Sequence, residues 1–376
     1  MSRRNKSRKK SVHKRRTRKS KKVKVDPFIF LPDDILLEIL KRLPDAVLRY
    51  KEKYVCSRWF DIITNSILLD HASYILQNKG TFRTCLVDIR EEGERLQVKE
   101  QDLDIPHIGM IRSWCNEFLL ISVSYTNTLY VYNLITKEGS YLPQHNAPCG
   151  RYCIGNCGVA LSGFKGIYKV VHLYSGPPIK CHILNLGRGD NLMSTCVSSK
   201  WKHVKGSFTK DVKNRLHSWC EPVLVRQGRY IHWETFNDSN DLLVSMDTET
   251  EEIFQKRLPT SIEERYSGNS LFVIGGFLAV FDRVLYQGND AYVWILKDFR
   301  RRRWKKLQLI TGHYTRYLDT YRICGGISKR YIILRSTTGK GMCSYDVENG
   351  VFKELDISIG SDHDHFVVHS SAPIKI

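Results

Sequence analysis

The sequence predicts two parts in series: a small all-α module of three helices, then an all-β, propeller-like domain of about six blades. Three observations carry this reading. Apolar residues recur at helical steps between residues 30 and 63, and that spacing vanishes from Thr81 onward. Short β-rich runs such as LYVYN, YKVVHLY, RYIHWE, AYVWIL and RYIILR then alternate with turn residues. Within that region a strand–turn–strand phrase repeats with a period near 50 residues.

The 376-residue chain opens on a basic tail, expected to span residues 1–26. Residues 1–24 hold 14 Lys or Arg and no acid, so the net charge of +20 falls to +6 for the remainder. Such a segment repels itself and cannot bury apolar surface, so disorder is expected. Lys14, Arg15, Arg16, Arg18, Lys19, Lys21 and Lys22 suit a nuclear import signal read by an importin-type receptor. The expected location is therefore the nucleus, with the cytoplasm as a further compartment. The same charge would bind nucleic acid by counterion release, without sequence preference.

No apolar segment of about 7 to 15 residues follows the charges, so a signal peptide is not expected. The longest apolar run, Leu271 to Phe281, has 11 residues. A helix needs roughly 20 to cross a bilayer, so a soluble protein without a membrane partner is expected. The 11 cysteines are odd in number and scattered, which fits a reducing compartment.

After Pro27 comes FLPDDILLEILKRLPD. Asp33 and Asp34 place negative charge in the first turn after Pro32, and Pro44 ends the helix. Asp45 can cap a short second helix carrying Val47 and Leu48. Val55, Trp59, Ile62 and Ile63, at steps of 4, 3 and 1, mark a longer third helix that fades by about His71 to Gly80. The first helix is apolar over a wider arc than one core needs, because Ile35, Leu36, Leu37, Ile39, Leu40 and Leu43 are all apolar. A module of about 40 residues cannot build a sufficient core alone, so part of that arc is expected to meet a partner.

In the β region the repeated phrase is an apolar strand, Asn or Asp, a polar turn and a second strand. Its turn residues read as Asp88, Asn133, Asn185, Asp247, Asp298 and Asp346, spaced 45 to 62 residues apart. The glycine pairs at Gly275 and Gly325 read as strand bends or bulges.

Chemistry-bearing clusters are few. Cys149, Cys153 and Cys157 lie at steps of four, whereas metal sites use Cys-x2-Cys pairs. His363, Asp364 and His365 lack an identifiable third ligand. No nucleophile elbow, phosphate-binding glycine loop or carboxylate pair stands out, so no cofactor, metal or catalytic residue is expected. Lys297, Arg300, Arg301, Arg302, Arg303, Lys305 and Lys306 form a basic turn. Its arginines could face an acidic or phosphorylated substrate.

The helical part resembles an F-box. Leu31, Pro32, Ile35, Leu36, Ile39, Leu40, Leu43, Pro44, Val55, Cys56 and Trp59 stand at the positions of that motif. The stretch between Pro44 and Val55 is one residue longer than the usual plant pattern. The β part resembles the F-box-associated, kelch-like propeller domain of plant F-box proteins, through NLITKEGSYLP, GIYKVVHLY, RYIHWE, MDTETEEIFQKRLP, LFVIGGFLAVF and AYVWILKDFRRRRWKKL. Leu134 stands where that family usually has proline.

This resemblance implies an F-box at 28–72 and a substrate-binding β domain at 80–376. It further implies a non-catalytic receptor subunit of an SCF (Skp–cullin–F-box) ubiquitin ligase. The eleven F-box residues would bind the Skp-family adaptor and, through it, the cullin–RING assembly, while the β domain would take a protein substrate for ubiquitination. Two alternatives stay open: a nuclear nucleic-acid-binding protein acting through its tail, and a propeller scaffold outside any ligase.

Overall fold

Strands dominate the chain from His71 onward. The structure is a computed structural model that describes residues 30–42, 57–62, 71–78, 80–93, 95–123, 126, 128–144, 157–174, 180–188, 192, 199–205, 215–216, 222–225, 228–236, 242–259, 271–274, 276–284, 290–299, 303–310, 321–327, 330–336, 341–357 and 366–371. Among the described residues, two helices precede the strands, α1 (Asp33–Lys41) and α2 (Ser57–Ile62). The expected second helix lies outside the described residues.

The first sheet holds β1 (His71–Asn78), β2 (Thr84–Glu92) and β3 (Arg95–Asp102). The second holds β4 (Gly109–Cys115), β5 (Phe118–Val123), β6 (Thr128–Asn133) and β7 (Gly139–Tyr141). The third holds β8 (Cys157–Ser162), β9 (Ile167–Tyr174), β10 (Lys180–Arg188) and β11 (Trp201–Val204). In the fourth, β12 (Arg215–Leu216) and β13 (Val223–Val225) both pair with β14 (Tyr230–Phe236), followed by β15 (Leu242–Asp247) and β16 (Glu252–Arg257).

The fifth sheet has eight strands: β17 (Leu271–Ile274), β18 (Phe277–Val284), β19 (Asp290–Asp298), β20 (Arg303–Ile310), β21 (Tyr321–Ile327), β22 (Tyr331–Ser336), β23 (Met342–Asp346) and β24 (Val351–Leu355). It is two antiparallel meanders joined by one parallel pairing, Ile274 with Gly326. The last strand, β25 (Phe366–Ser371), returns to the first sheet and pairs antiparallel with β1 from Ser73↔Ser371 to Asn78↔Phe366.

The arrangement is that of a propeller. Leading strands touch in succession: β25 with β4, β4 with β8, β8 with β14, β13 with β17, β17 with β21, and β21 with β25. Apolar cores fill the gaps between meanders. Ile75 and Leu86 of the first sheet pack with Trp114 and Leu119 of the second. Leu120 and Val131 meet Val170 and Leu184. Val171 and Ile183 meet Ile231 and Trp233, and at the far end Tyr74 and Val87 meet Tyr331 and Ile333. Each meander thus buries both faces only against its neighbours, which is what a ring of sheets requires.

Polar side chains pin some of these gaps. The fully buried Gln77 donates to the Gly109 carbonyl at 3.1 Å and accepts from the Ile111 N–H at 2.8 Å. Ser113 accepts from the Leu161 N–H at 3.1 Å. The Trp233 indole lies where a side chain on Gly158 would stand, with Nε1 2.2 Å from that Cβ position. Glycine is required there because the backbone approaches a ring face.

The repeated phrase marks the hairpin between the third and fourth strands of a meander. The Asn133 Oδ1 accepts from the Ile135 and Thr136 N–H groups at 2.8 and 3.1 Å. Asp346 does the same for Glu348 and Asn349 at 3.0 and 3.2 Å, and Asp247 accepts from Glu249 at 3.0 Å. These are Asx turns, in which a short acceptor substitutes for a backbone carbonyl. Asp298 likewise ends β19. Asp88 and Asn185 are corrections: Asp88 lies within β2, and Asn185 lies within β10 at a bulge. Of the glycine pairs, Gly325 sits at a register shift in β21, whereas Gly276 is the positive-φ turn between β17 and β18. The region His71 to Gly80, expected as fading helix, holds β1, most of whose side chains are buried.

Four residues after the Asx position, the backbone turns left-handed. Lys137, Glu251 and Gly350 have φ of 61°, 59° and 66°. Only glycine takes this conformation without a steric penalty, which for other residues is about 1–2 kcal/mol. Lys137→Gly is therefore expected to raise stability by about 1 kcal/mol, and Gly350→Ala to lower it by about the same amount. Urea midpoints of the two variants measure both effects.

A second prediction concerns acid. His232 is fully enclosed, its Nδ1 lies 2.8 Å from the Ser245 hydroxyl, and the rings of Tyr230 and Phe299 pack around it. Burial first, and the nearby Lys256 second, push its imidazole down to about 3 from 6.5. Between those values the unfolded chain binds a proton that the folded chain refuses. Stability is thus complete above pH 6.5 and falls below it, by about 1.4 kcal/mol per pH unit from this group. His232→Asn is expected to flatten that part of the slope in urea titrations at pH 7, 6 and 5.

Candidate partner-binding surfaces

The helical part divides its own apolar arc. The Leu36 N–H donates to the Pro32 carbonyl at 3.0 Å, starting α1 where Asp33 and Asp34 favour the helix N-terminus. Leu36 and Leu40, four residues apart, are fully buried, and on α2 Trp59 and Ile62 are buried as well. One residue behind them, Ile35 and Ile39 form a parallel stripe that is 47% and 40% exposed, and Phe30 is 84% exposed. Side chains at i and i+4 share a face, and the neighbouring stripe is rotated by about 100°. One stripe therefore serves the module's core and the other stands in solvent.

Arg58 holds the two helices in this relation. Its Nε donates to the Asp33 Oδ1 at 2.7 Å, and its Nη2 donates to the Leu31 carbonyl. Of the residues that the sequence assigns to a partner face, Pro32, Ile35 and Ile39 are exposed, Leu31 is half-buried, and Leu36, Leu40 and Trp59 lie inside. Leu43, Pro44, Val55 and Cys56 fall outside the described residues, as do the tail cations Lys14 to Lys22. Phe30 and Arg58 were not singled out by sequence. Their neighbourhood to Leu31–Pro32 and Trp59 was the available signal.

The β domain has two unlike faces. On one lie the Asx turns and the connections between first and second strands, such as residues 116–117 and 163–166. The hairpins on this side that are described are short. Its charges are largely matched. The Arg229 Nη2 lies 2.9 Å from Glu249 and 3.5 Å from Asp247. Arg330 holds Asp346 at 2.9 Å, and Glu251 takes both Lys169 and Lys202 at 2.8 Å. Burial alone would raise the Glu251 carboxyl, yet the two lysines hold it below the ordinary range.

The opposite face carries residues 103–108, which connect the first meander to the second, and the ends of β7, β16, β20 and β24, from which the chain leaves for the next meander. The chain enters the β domain on the turn side, because His71 opposes Arg90 near the β2–β3 hairpin. Of the basic turn, Arg300, Arg301 and Arg302 are outside the described residues, and Arg303 is exposed at the start of β20, on the turn side. Cys149, Cys153 and His363 to His365 are also outside. Among the described residues, no three His, Cys, Asp or Glu side chains are gathered to hold a metal ion.

A family profile described as F-box associated beta propeller domain matches residues 73–366. A candidate F-box protein of Arabidopsis thaliana is 23% identical over 289 residues, covering 76% of this chain and 72% of its own length. Among solved structures, a nidogen/laminin complex aligns with a TM-score of 0.46 at 9% identity, over 80% of this chain and 98% of the other. TolB of Acinetobacter baumannii aligns with a TM-score of 0.46 at 11% identity, over 85% and 70%.

Proposed function

Because the chain belongs to the F-box associated beta propeller domain family, we propose that it is the substrate-recognition subunit of an SCF (Skp–cullin–F-box) ubiquitin ligase. The observation that carries this is that Phe30, Ile35 and Ile39 are exposed beside the buried Leu36 and Leu40. Large apolar groups left exposed along one short segment mark an interaction site. On this reading the stripe docks on a Skp-family adaptor, which brings the cullin–RING assembly, and the chain itself performs no catalysis. The likeness to an Arabidopsis F-box protein supports the same assignment.

The β domain then captures the protein substrate, and six blades is the count we favour. The support is the pairing of apolar clusters between successive meanders and the lone parallel link that divides the eight-stranded sheet. The substrate face is the one carrying the inter-meander connections. The helical module joins the domain from the turn side, so a substrate on the opposite face leaves the adaptor's path clear. The basic tail sends the protein to the nucleus through an importin-type receptor, a role supported by its 14 cations in 24 residues.

The experiment is reconstitution of the full chain with a Skp-family adaptor and a cullin–RING pair. Co-elution of all four is the expected result. A folded chain that elutes apart from the adaptor at micromolar concentration overturns the proposal.

A further inference from the structure

The rim of the propeller carries a feature that the docking role leaves unused. Strands β3, β7, β11, β16, β20 and β24 each end a meander on its outer side. Most of them balance their charge. β3 sets Arg95 and Lys99 beside Glu100 and Asp102, β16 sets Glu252 beside Lys256 and Arg257, and β24 sets Lys353 beside Glu354. β7 is uncharged, and Lys202 of β11 meets Glu251 at 2.8 Å.

β20 departs from this pattern. Arg303, Lys305 and Lys306 are exposed on it, and it carries no acid. Among the described residues, none of the three is in an ion pair. Asp298 stands opposite Arg303 in the ladder, and one carboxylate leaves the edge positive.

Aromatic rings stand among these cations. Leu296↔Trp304 and Trp294↔Lys306 are pairs of the β19–β20 ladder. Trp304 and Lys306 therefore share a face with Trp294 and Tyr292 by strand alternation. Trp294 and Trp304 pack on the core between the fourth and fifth meanders, yet all three rings are only half-buried. The Lys306 ammonium lies 3.2 Å from the centre of the Tyr292 ring and 5.6 Å from that of Trp294. Because Lys306 is exposed, the ring faces under its ammonium look outward. The Trp294 Nε1 donates to the buried Asp282 at 3.2 Å, which fixes the plane of that indole.

We propose that this outer edge of the fifth meander is a binding site for single-stranded nucleic acid. Unmatched cations neutralise phosphates and release their counterions, and open aromatic faces stack on unpaired bases whatever their identity. Cations alone would only guard an edge strand against pairing. An acidic peptide would answer to the cations and leave the rings without a role. A duplex keeps its base faces stacked inside, so the rings favour a single strand. The basic tail differs in kind: residues 1–24 hold no Phe, Tyr or Trp. Such a tail follows charge density and favours the duplex.

The test uses the full chain with oligothymidylate, oligouridylate and a mixed-sequence DNA duplex, each of about 12 nucleotides or base pairs. Affinities come from fluorescence anisotropy at about 0.15 M salt and above. The wild type is expected to bind both single strands about tenfold tighter than the duplex, which is what one stacked base supplies. Trp304→Ala is expected to remove that preference and Trp304→Tyr to keep it. Lys305→Ala with Lys306→Ala is expected to lower the single-strand salt slope by about 1.4, at about 0.7 per phosphate. Lys99→Ala with Lys353→Ala, exposed lysines of other outer strands, should leave slope and preference unchanged. Crosslinks from 4-thiouridine placed in the oligouridylate are expected on the peptide that holds Trp304. Melting curves report folding. Trp304 packs on the core, so the exposed Lys305/Lys306 pair and the crosslink decide the matter if Trp304→Ala unfolds the chain.

Tighter binding of oligouridylate assigns the site to RNA, and tighter binding of oligothymidylate assigns it to DNA. A wild type that binds the duplex as tightly as the single strands overturns the inference. So does an unchanged slope in the Lys305/Lys306 variant, or crosslinks confined to residues 1–24. Polyglutamate of equal charge bound as tightly as the oligonucleotides also overturns it, in favour of an acidic protein partner.

Discussion

Ile35→Asp combined with Ile39→Asp is expected to abolish capture of a Skp-family adaptor while leaving the β domain's melting unchanged. Both side chains are exposed in the free chain, at 47% and 40%, so their loss costs the module little. In a complex each would be covered, and a fully buried Ile is worth about 1.5–3 kcal/mol. The surface still open on the two comes to a little under one whole Ile, roughly tenfold to eightyfold in affinity, and the cost of burying two carboxylates adds to it. Leu36→Ala is the informative contrast. Leu36 is fully buried within the module, so its truncation costs about 2–5 kcal/mol of module stability and acts on binding only through unfolding. Adaptor affinity by titration, with circular dichroism on the same samples, separates the two effects.

A chain ending at residue 365 is expected to lose cooperative folding of the β domain. The deletion removes β25, whose ladder with β1 runs from Ser73↔Ser371 to Asn78↔Phe366. It also breaks the contacts of β25 with β4 and β21 that complete the succession of leading strands. Six ladder pairs at about 0.5–1.5 kcal/mol each come to roughly 5 kcal/mol, comparable with the whole stability of an ordinary domain. The newly bared edge of β1 would also template association. Urea unfolding should show an early, broad transition and concentration-dependent aggregation. A midpoint equal to that of the full chain would mean that β25 is dispensable.

Much of the β architecture was legible because its repeat unit carries a local chemical signal. Asn133, Asp247 and Asp346 each accept from backbone N–H groups two residues on, and a turn of that kind leaves its acceptor in the sequence. Where the third strand ends without such a turn, the signal misled. Asp88 was assigned to a turn, yet it lies within β2, where its carboxylate accepts from Ser73 and lies 3.3 Å from the His71 ring.

Strand β1 was missed for a different reason. Six of its eight positions are buried on both faces, so the alternation that betrays a half-exposed strand is absent. The closing strand β25 carries no phrase of its own, and its partner is nearly 300 residues away in sequence. Pairing at that distance is a tertiary fact. The helical module shows the same limit. Periodicity gives the width of the apolar arc of α1, but only tertiary packing decides that Leu36 and Leu40 are buried and Ile35 and Ile39 are exposed.

The central claim is that the helical stripe, and not the basic tail, joins this chain to a ligase. Isothermal titration of the full chain with a purified Skp-family adaptor tests it most directly, with and without residues 1–24. The account predicts one adaptor per chain, a dissociation constant below about 1 μM, and the same value when the tail is removed. No heat of binding at tens of micromolar protein, or binding that disappears with the tail, would contradict it.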